Sequence, residues 1–223
     1  MRLYFHYYQG GFSNCYILGT GMSAESEDNA QNNSQTNAQN SADQDEAIII
    51  DPAIMDPTLL KIIEGNNFTL RGIFITHDHP HHVNGIRAIL RIYDTEIYAI
   101  NPIVAGYKSI HVHDEEIVQA GPFKVEVFSI PGHSSDSAVF KVDRHLFTGD
   151  AMSAGLLGST SSSYAATNQN SALRRKILSL PGDYTVLPGH GPPSTLEAER
   201  RFNLDLNSFE HKKNRRPVFR IDW

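Results

Sequence analysis

The apolar and polar positions of this chain fall into short runs that stop abruptly at turn residues. Asn14-Cys15-Tyr16-Ile17-Leu18 and Ala47-Ile48-Ile49-Ile50-Asp51 are nearly continuous apolar runs, as expected of strands buried on both faces. Between them, from about residue 22 to 46, lies an Asn/Gln/Ser/Ala stretch with too little apolar surface to offset its ordering entropy. It reads as an insertion at a hairpin tip, where extra length costs little. Asp56 to Glu64 sets Leu59, Leu60, Ile62 and Ile63 at helical spacing and is closed by Gly65. Leu70 to Ile75 then reads as a buried strand, Asn84 to Tyr93 as a helix and Glu96 to Ile100 as a strand. Phe123 to Ile130 alternates apolar and polar residues, the pattern of a half-buried strand. Ala138–Val142 and His145–Phe147 predict a hairpin, Ser171 to Leu180 a helix, and Tyr184 to Leu187 a last strand. Strands early, strands late and a helix after each group predict a layered α/β fold.

Four of these strands end in potential metal ligands. The first runs into Thr76-His77-Asp78-His79-Pro80-His81-His82, and later ones into Pro131-Gly132-His133, Thr148-Gly149-Asp150 and Pro188-Gly189-His190. Imidazole is the commonest protein metal ligand, and four histidines within six residues fit poorly with ordinary core or surface roles. Loops at strand ends converge while the sheet holds them rigid. Glycine beside His133, Asp150 and His190 permits close backbone approach.

Composition narrows the alternatives. At 223 residues and 40% apolar content the chain suits one globular domain, read as residues 1–210, followed by a basic tail at 211–223. A net charge of -6 argues against a nucleic-acid partner. The tail concentrates five of the nineteen Lys and Arg residues between His211 and Arg220. It reads as a solvated or back-folded terminus, and it is the one candidate surface for a protein partner in signalling or electron donation. A single cysteine, Cys15, excludes a disulfide framework and a thiolate zinc site, and its strand position predicts a small core residue. Met1 to Tyr8 lacks a long apolar region, and no stretch approaches the roughly 20 apolar residues of a membrane span. The expectation is a cytoplasmic protein with no membrane association.

Together the motifs resemble the metallo-β-lactamase superfamily, whose pattern is T-H-x-H-x-D-H followed by single His, Asp and His ligands. The resemblance runs from about Asn14 to Asn203 and implies an αββα sandwich with a dinuclear metal site at one edge of the sheets. Carried over by position, His77, His79 and His133 resemble ligands of a first metal, His82 and His190 ligands of a second, and Asp150 a bridging carboxylate. Gly189-His190-Gly191-Pro192-Pro193-Ser194-Thr195 looks most like the glyoxalase II-like branch. One departure is large: His81 stands where the family has Asp, a ligand of the second metal in its hydrolases. Imidazole brings neither that negative charge nor the same acceptor capacity. If His81 is also a ligand, the set is six histidines and one carboxylate, leaving two divalent ions at about +3.

On that basis the favoured expectation is a non-haem di-iron protein that binds dioxygen as a sensor or carrier, with redox chemistry as an extension. No flavin site is recognised, so sustained reduction requires an external donor. Iron is the favoured metal, and zinc and manganese also suit the donors. The alternative is a metal-dependent hydrolase of a small ester, thioester or lactone, for which a small-molecule substrate replaces dioxygen. Asp78 is expected to orient a histidine. His111 and His113 read as a surface pair, while His6, His145 and His211 carry no ligand pattern. Packing is the default for Tyr7, Tyr8 and Tyr164, and helix surface for Arg174 and Arg175. The Gly/Ser-rich segment Met152 to Ser163 reads either as a gate or as an ordinary loop.

Overall fold

The structure is a computed structural model that describes residues 1–21 and 45–207. The chain begins with β1 (Arg2–Tyr8), β2 (Ser13–Gly19), β3 (Glu46–Ile50), α1 (Pro57–Gly65), β4 (Thr69–Phe74), α2 (Pro80–Val83) and α3 (Ile86–Ile92). It continues through β5 (Ile97–Ala99), β6 (Ile103–Val104), β7 (Tyr107–Lys108), β8 (Ile110–His111), β9 (Ile117–Ala120) and β10 (Phe123–Ser129). The remaining elements are β11 (Ala138–Val142), β12 (His145–Gly149), β13 (Met152–Ser153), β14 (Leu156–Leu157), α4 (Ser163–Lys176), β15 (Thr185–Pro188), β16 (Ser194–Thr195) and α5 (Leu196–Phe202).

Two six-stranded sheets, ordered β1-β2-β3-β4-β5-β8 and β16-β15-β12-β11-β10-β9, pack face to face. Strand alternation assigns each side chain to a layer. In β2, Tyr16 and Leu18 point between the sheets, where they meet Phe74, Phe140, Phe147 and Leu187. Cys15 and Ile17 point the other way and pack with Leu59 and Ile63 of α1 and Ile86 and Ile89 of α3. The second sheet turns Val139, Leu146 and Val186 outward onto Ala172 and Leu173 of α4 and Leu196 of α5. The result is the expected αββα sandwich. The central strands β2, β3 and β12 are covered on both faces, which explains why they read as apolar runs, whereas β1, β9 and β10 keep exposed positions.

Helix boundaries follow local chemistry. Asp56 caps α1 by accepting from the Leu59 amide at 2.9 Å, and Pro57 opens the first turn. The α4 helix starts at Ser163, eight residues before the predicted Ser171, with Ser162 as its cap. Its early turns are polar, and its buried face includes Gln169 and Asn170, so no apolar stripe marks them. The first strand, the β9 strand and the α5 helix were absent from the sequence expectation. The 22–46 insertion, apart from Asp45 and Glu46, and the tail at 211–223 lie outside the described residues. The strands flanking the insertion, β2 and β3, do pair antiparallel, as a hairpin requires. Among the described residues no helix is long and apolar enough to cross a membrane.

The ends of β2 and β15 tie the two sheets together. The Asn14 side chain donates to the Pro188 and Gly191 carbonyls at 2.9 and 2.8 Å, and the Tyr16 hydroxyl donates to Pro188 at 2.8 Å. This clamp fixes the start of the loop that carries His190.

Candidate metal centre

Four loops converge at this clamped edge. His77 follows β4, with His82 just beyond it on the single turn α2, His133 follows β10, and Asp150 and His190 follow the neighbouring parallel strands β12 and β15. Around Asp150 Oδ2 stand three imidazole nitrogens: Nε2 of His82 and of His133, each at 3.6 Å, and Nε2 of His77 at 3.8 Å. Those separations exceed a hydrogen bond. They leave room for an ion bonded to each atom at about 2 Å. His133 Nε2 also lies 3.1 Å from His79 Nδ1, and His190 Nδ1 lies 2.7 Å from Asp150 Oδ1. Two donor groups result, His77 with His79 and His133, and His77 with His82 and Asp150, the donor atoms of each lying within 4.8 Å of one another.

The buried nitrogens supply the test of fit. Nε2 of His77 and Nε2 of His82 are fully buried and have no hydrogen-bond partner. Two orphaned ring nitrogens in one core position are costly unless something else binds them. A divalent cation is what this donor set accommodates.

The other ring nitrogens are already engaged, which fixes how each ring is presented. Asp51, 2% exposed, accepts from His82 Nδ1 at 2.9 Å. The same carboxylate accepts from the Thr76 amide at 2.8 Å and hydroxyl at 2.6 Å, and that hydroxyl lies 3.1 Å from His77 Nδ1. His133 Nδ1 donates to the Ser159 carbonyl at 2.8 Å. In each case Nε2 is left facing the centre.

Charge distribution agrees with a cation site. Burial, with the neighbouring His82 adding to it, pushes His77 down to about 3, so its ring is neutral and available. Burial also opposes a charge on His82, but Asp51 and Asp150 outweigh it and raise that ring to about 10. For Asp150, desolvation favours the neutral acid, yet the hydrogen bond from His190 and the nearby charge of His82 hold its carboxyl well below the ordinary range. The space between Asp51 and Asp150 therefore selects positive charge.

Glycines bring the loops together. A Cβ on Gly189 would stand 2.4 Å from His82 Cε1 and 2.7 Å from Asp150 Oδ1. Gly149 has φ +49°, and a Cβ there would fall 2.3 Å from the Thr76 hydroxyl. Gln169 holds the layer behind them. Its amide donates to the carbonyls of Ala151 at 2.8 Å and Gly158 at 3.3 Å, while its side chain packs against Gly132. It thus braces the segments on which Asp150 and His133 sit.

Of the seven residues singled out in the sequence, six lie around this centre: His77, His79, His82, His133, Asp150 and His190. His81 is on the exposed side of α2 and belongs to neither donor group, its ring lying 6.0 Å from that of His190. Asp78 does not orient a histidine as expected. Both its oxygens accept from the Ala105 amide at 3.2 Å, and its own amide donates to Asp136, so it braces the loop. Tyr164 is 76% exposed, and Tyr7 lies on the exposed side of the edge strand β1. The segment from Met152 to Ser163 forms the β13–β14 hairpin, anchored by Glu199 and Asp205 to Gly155 and Leu157. Arg174 is half-buried and donates to the Leu206 carbonyl, so it is more than helix surface. Sequence reasoning missed Asp51, Thr76 and Gln169. The signal for Asp51 was an acid at the end of an apolar strand, the same pattern that singled out Asp150.

Comparison with known proteins agrees with the fold. Residues 40–190 match the metallo-beta-lactamase superfamily. The chain belongs to that superfamily. A hydroxyacylglutathione hydrolase of Francisella tularensis subsp. tularensis is 33% identical over 151 residues, 66% of this chain and 60% of the relative. The chain thus spans about 60% of the length of the curated relatives it matches. Among solved structures, ETHE1 from Myxococcus xanthus aligns with a TM-score of 0.74 at 20% identity, over 97% of this chain and 93% of that one. TTHA1623 in a di-iron-bound form aligns with a TM-score of 0.62 at 23% identity, over 86% of this chain and 94% of that one.

Proposed function

We propose that the protein is a metal-dependent hydrolase of a small ester or thioester. Two metal ions would be held by His77, His79 and His133 on one side and by His82, Asp150 and His190 on the other. The observation that carries this reading is the pair of orphaned, fully buried Nε2 atoms of His77 and His82 facing one carboxylate. Bound ions would polarise a substrate carbonyl and lower the pKa of water toward about 7.

The chain's own residues set the electrostatics and the aim of the donors. Asp51 touches His82 directly and reaches His77 through Thr76, so it adds a second negative charge just behind the donor groups. That charge offsets part of what this chain lacks by having His81 where the family pattern has a carboxylate. His81 itself stands outside the donor groups, which reduces its weight as a sign of oxygen chemistry. The relatives named hydroxyacylglutathione hydrolases point to thioesters of that kind as first substrates to try.

The test is thiol release from a hydroxyacylglutathione thioester and from a simple acyl thioester, using protein loaded with zinc, manganese or iron. Metal-dependent release supports the proposal; no release with any of the three overturns it. A second reading, a di-iron protein that binds dioxygen, draws on His81 and on the likeness to TTHA1623 in its di-iron-bound form. An oxygen-dependent absorption band in the iron-loaded protein, without thioester cleavage, would favour that reading instead.

A further inference from the structure

A recess of about 670 Å³ lies between the α2–α3 segment and the β6–β7 hairpin, within the size range of small-molecule sites. Val83, Leu90 and Tyr107 form its apolar lining, and Asn84, Arg87 and Arg91 its polar lining. Val83 is 5% exposed, and Leu90 and Tyr107 are half-buried, whereas both arginines are exposed. Arg87 and Arg91 are one turn apart on α3, so their side chains share a face.

These two arginines differ from others in the protein. Arg2, Arg71, Arg174, Arg200 and Arg201 each donate to a carboxylate, side-chain amide or carbonyl. Arg87 and Arg91 have no such partner among the described residues. The carboxylate near the hairpin wall, Asp78, is already taken by the Ala105 amide. Two unneutralised guanidinium groups over an apolar lining are thus found on a chain of net charge -6. Guanidinium pairs carboxylate or phosphate oxygens bidentately, and the apolar lining suits a hydrocarbon or aromatic body.

We propose that this recess binds a small organic anion, a carboxylate or phosphate group carried on an apolar skeleton, through Arg87 and Arg91. The site is distinct from the metal donors but is connected to them. Val83 and Asn84 directly follow His82, and Ala105 on the facing hairpin is bonded to Asp78, between His77 and His79.

Calorimetric titration of the full chain with octanoate and with phenyl phosphate tests the proposal, with octanol as the neutral control. Saturable binding of at least one anion, weakened about tenfold or more by the Arg87→Ala/Arg91→Ala double variant, is the expected result. Both substitutions are on an exposed helix face and replace a good helix former by a better one, so folding is retained. An Arg87→Gln/Arg91→Gln variant, which keeps the length and loses the charge, should weaken binding similarly. Protein stripped of metal by a chelator should bind the anions as the metal-loaded protein does, which separates this site from anion binding at the metals. No saturable binding, equal binding of octanol, undiminished binding in the arginine variants, or loss of binding in the metal-free protein would each overturn the proposal.

Discussion

Asp51 accepts from His82 Nδ1 at 2.9 Å, and through the Thr76 hydroxyl it also governs the ring of His77. One buried carboxylate therefore sets the orientation of both histidines whose Nε2 atoms lack partners. Carboxylate partners of this kind typically contribute 10–100-fold to metal affinity, roughly. Asp51 has φ 51°, a left-handed conformation that Asn adopts more readily than Ala. Asp51→Asn should thus keep the backbone and lower metal affinity by about 10–100-fold, measured by competition with a chelating dye. Unchanged affinity would show that the contact is merely structural.

His81 tests how many side chains the centre uses. It is exposed and outside both donor groups, so His81→Ala should leave metal stoichiometry unchanged. Its effect on unfolding free energy should stay within about 0.5 kcal/mol. Loss of a metal ion from this variant, read by elemental analysis, would restore the seven-ligand set that the sequence suggested.

Gln169 is a positioning residue. Removing its amide leaves the buried Ala151 carbonyl without that donor and frees the Gly158 segment next to Ser159, which holds His133. Gln169→Ala should cost about 1–3 kcal/mol in denaturant unfolding. It should also change the visible spectrum of the cobalt-substituted protein, a readout that a purely structural loss elsewhere would not move.

Asp56 supplies an acid-sensitive contribution to stability. Burial disfavours its charged form, but the Leu59 amide and the His6 ring outweigh burial and hold its carboxyl below the ordinary value. With a depressed folded-state pKa, the unfolded chain takes up the proton first as pH falls. The stabilisation is therefore complete above the ordinary carboxylate value of about 4 and is lost below it. Asp56→Ala should cost about 1 kcal/mol at pH 7, and its deficit relative to the unaltered protein should shrink below about pH 4. Urea unfolding across that range provides the comparison.

Much of this architecture was legible in the sequence, for physical reasons that particular residues illustrate. Strands such as β3 and β4, buried on both faces, announce themselves as apolar runs. The donors announced themselves because they gather just after predicted strands, and His133, Asp150 and His190 have glycine beside them. Less visible was α4, whose buried Gln169 and Asn170 break the apolar stripe that marks a helix in sequence. The edge strand β1 was hidden because its exposed positions carry Leu3, Phe5 and Tyr7, which blurs alternation. The role of Asp78 was misjudged since spacing alone cannot show that its carboxylate turns away to Ala105. His81 and His82 are adjacent in sequence, yet the turn of α2 exposes one and fully buries the other. Sequence identifies both as histidines; only the backbone path separates them.

The most direct test of the central claim is the metal content of purified protein, by elemental analysis, for the unaltered chain and for His77→Ala. Because His77 is one of the three donors to the first ion and also lies beside His82 and Asp150, the account predicts two metal ions per chain and loss of at least one in the variant. A metal-free unaltered protein after incubation with zinc, manganese or iron, or a His77→Ala variant that keeps both ions, would contradict it.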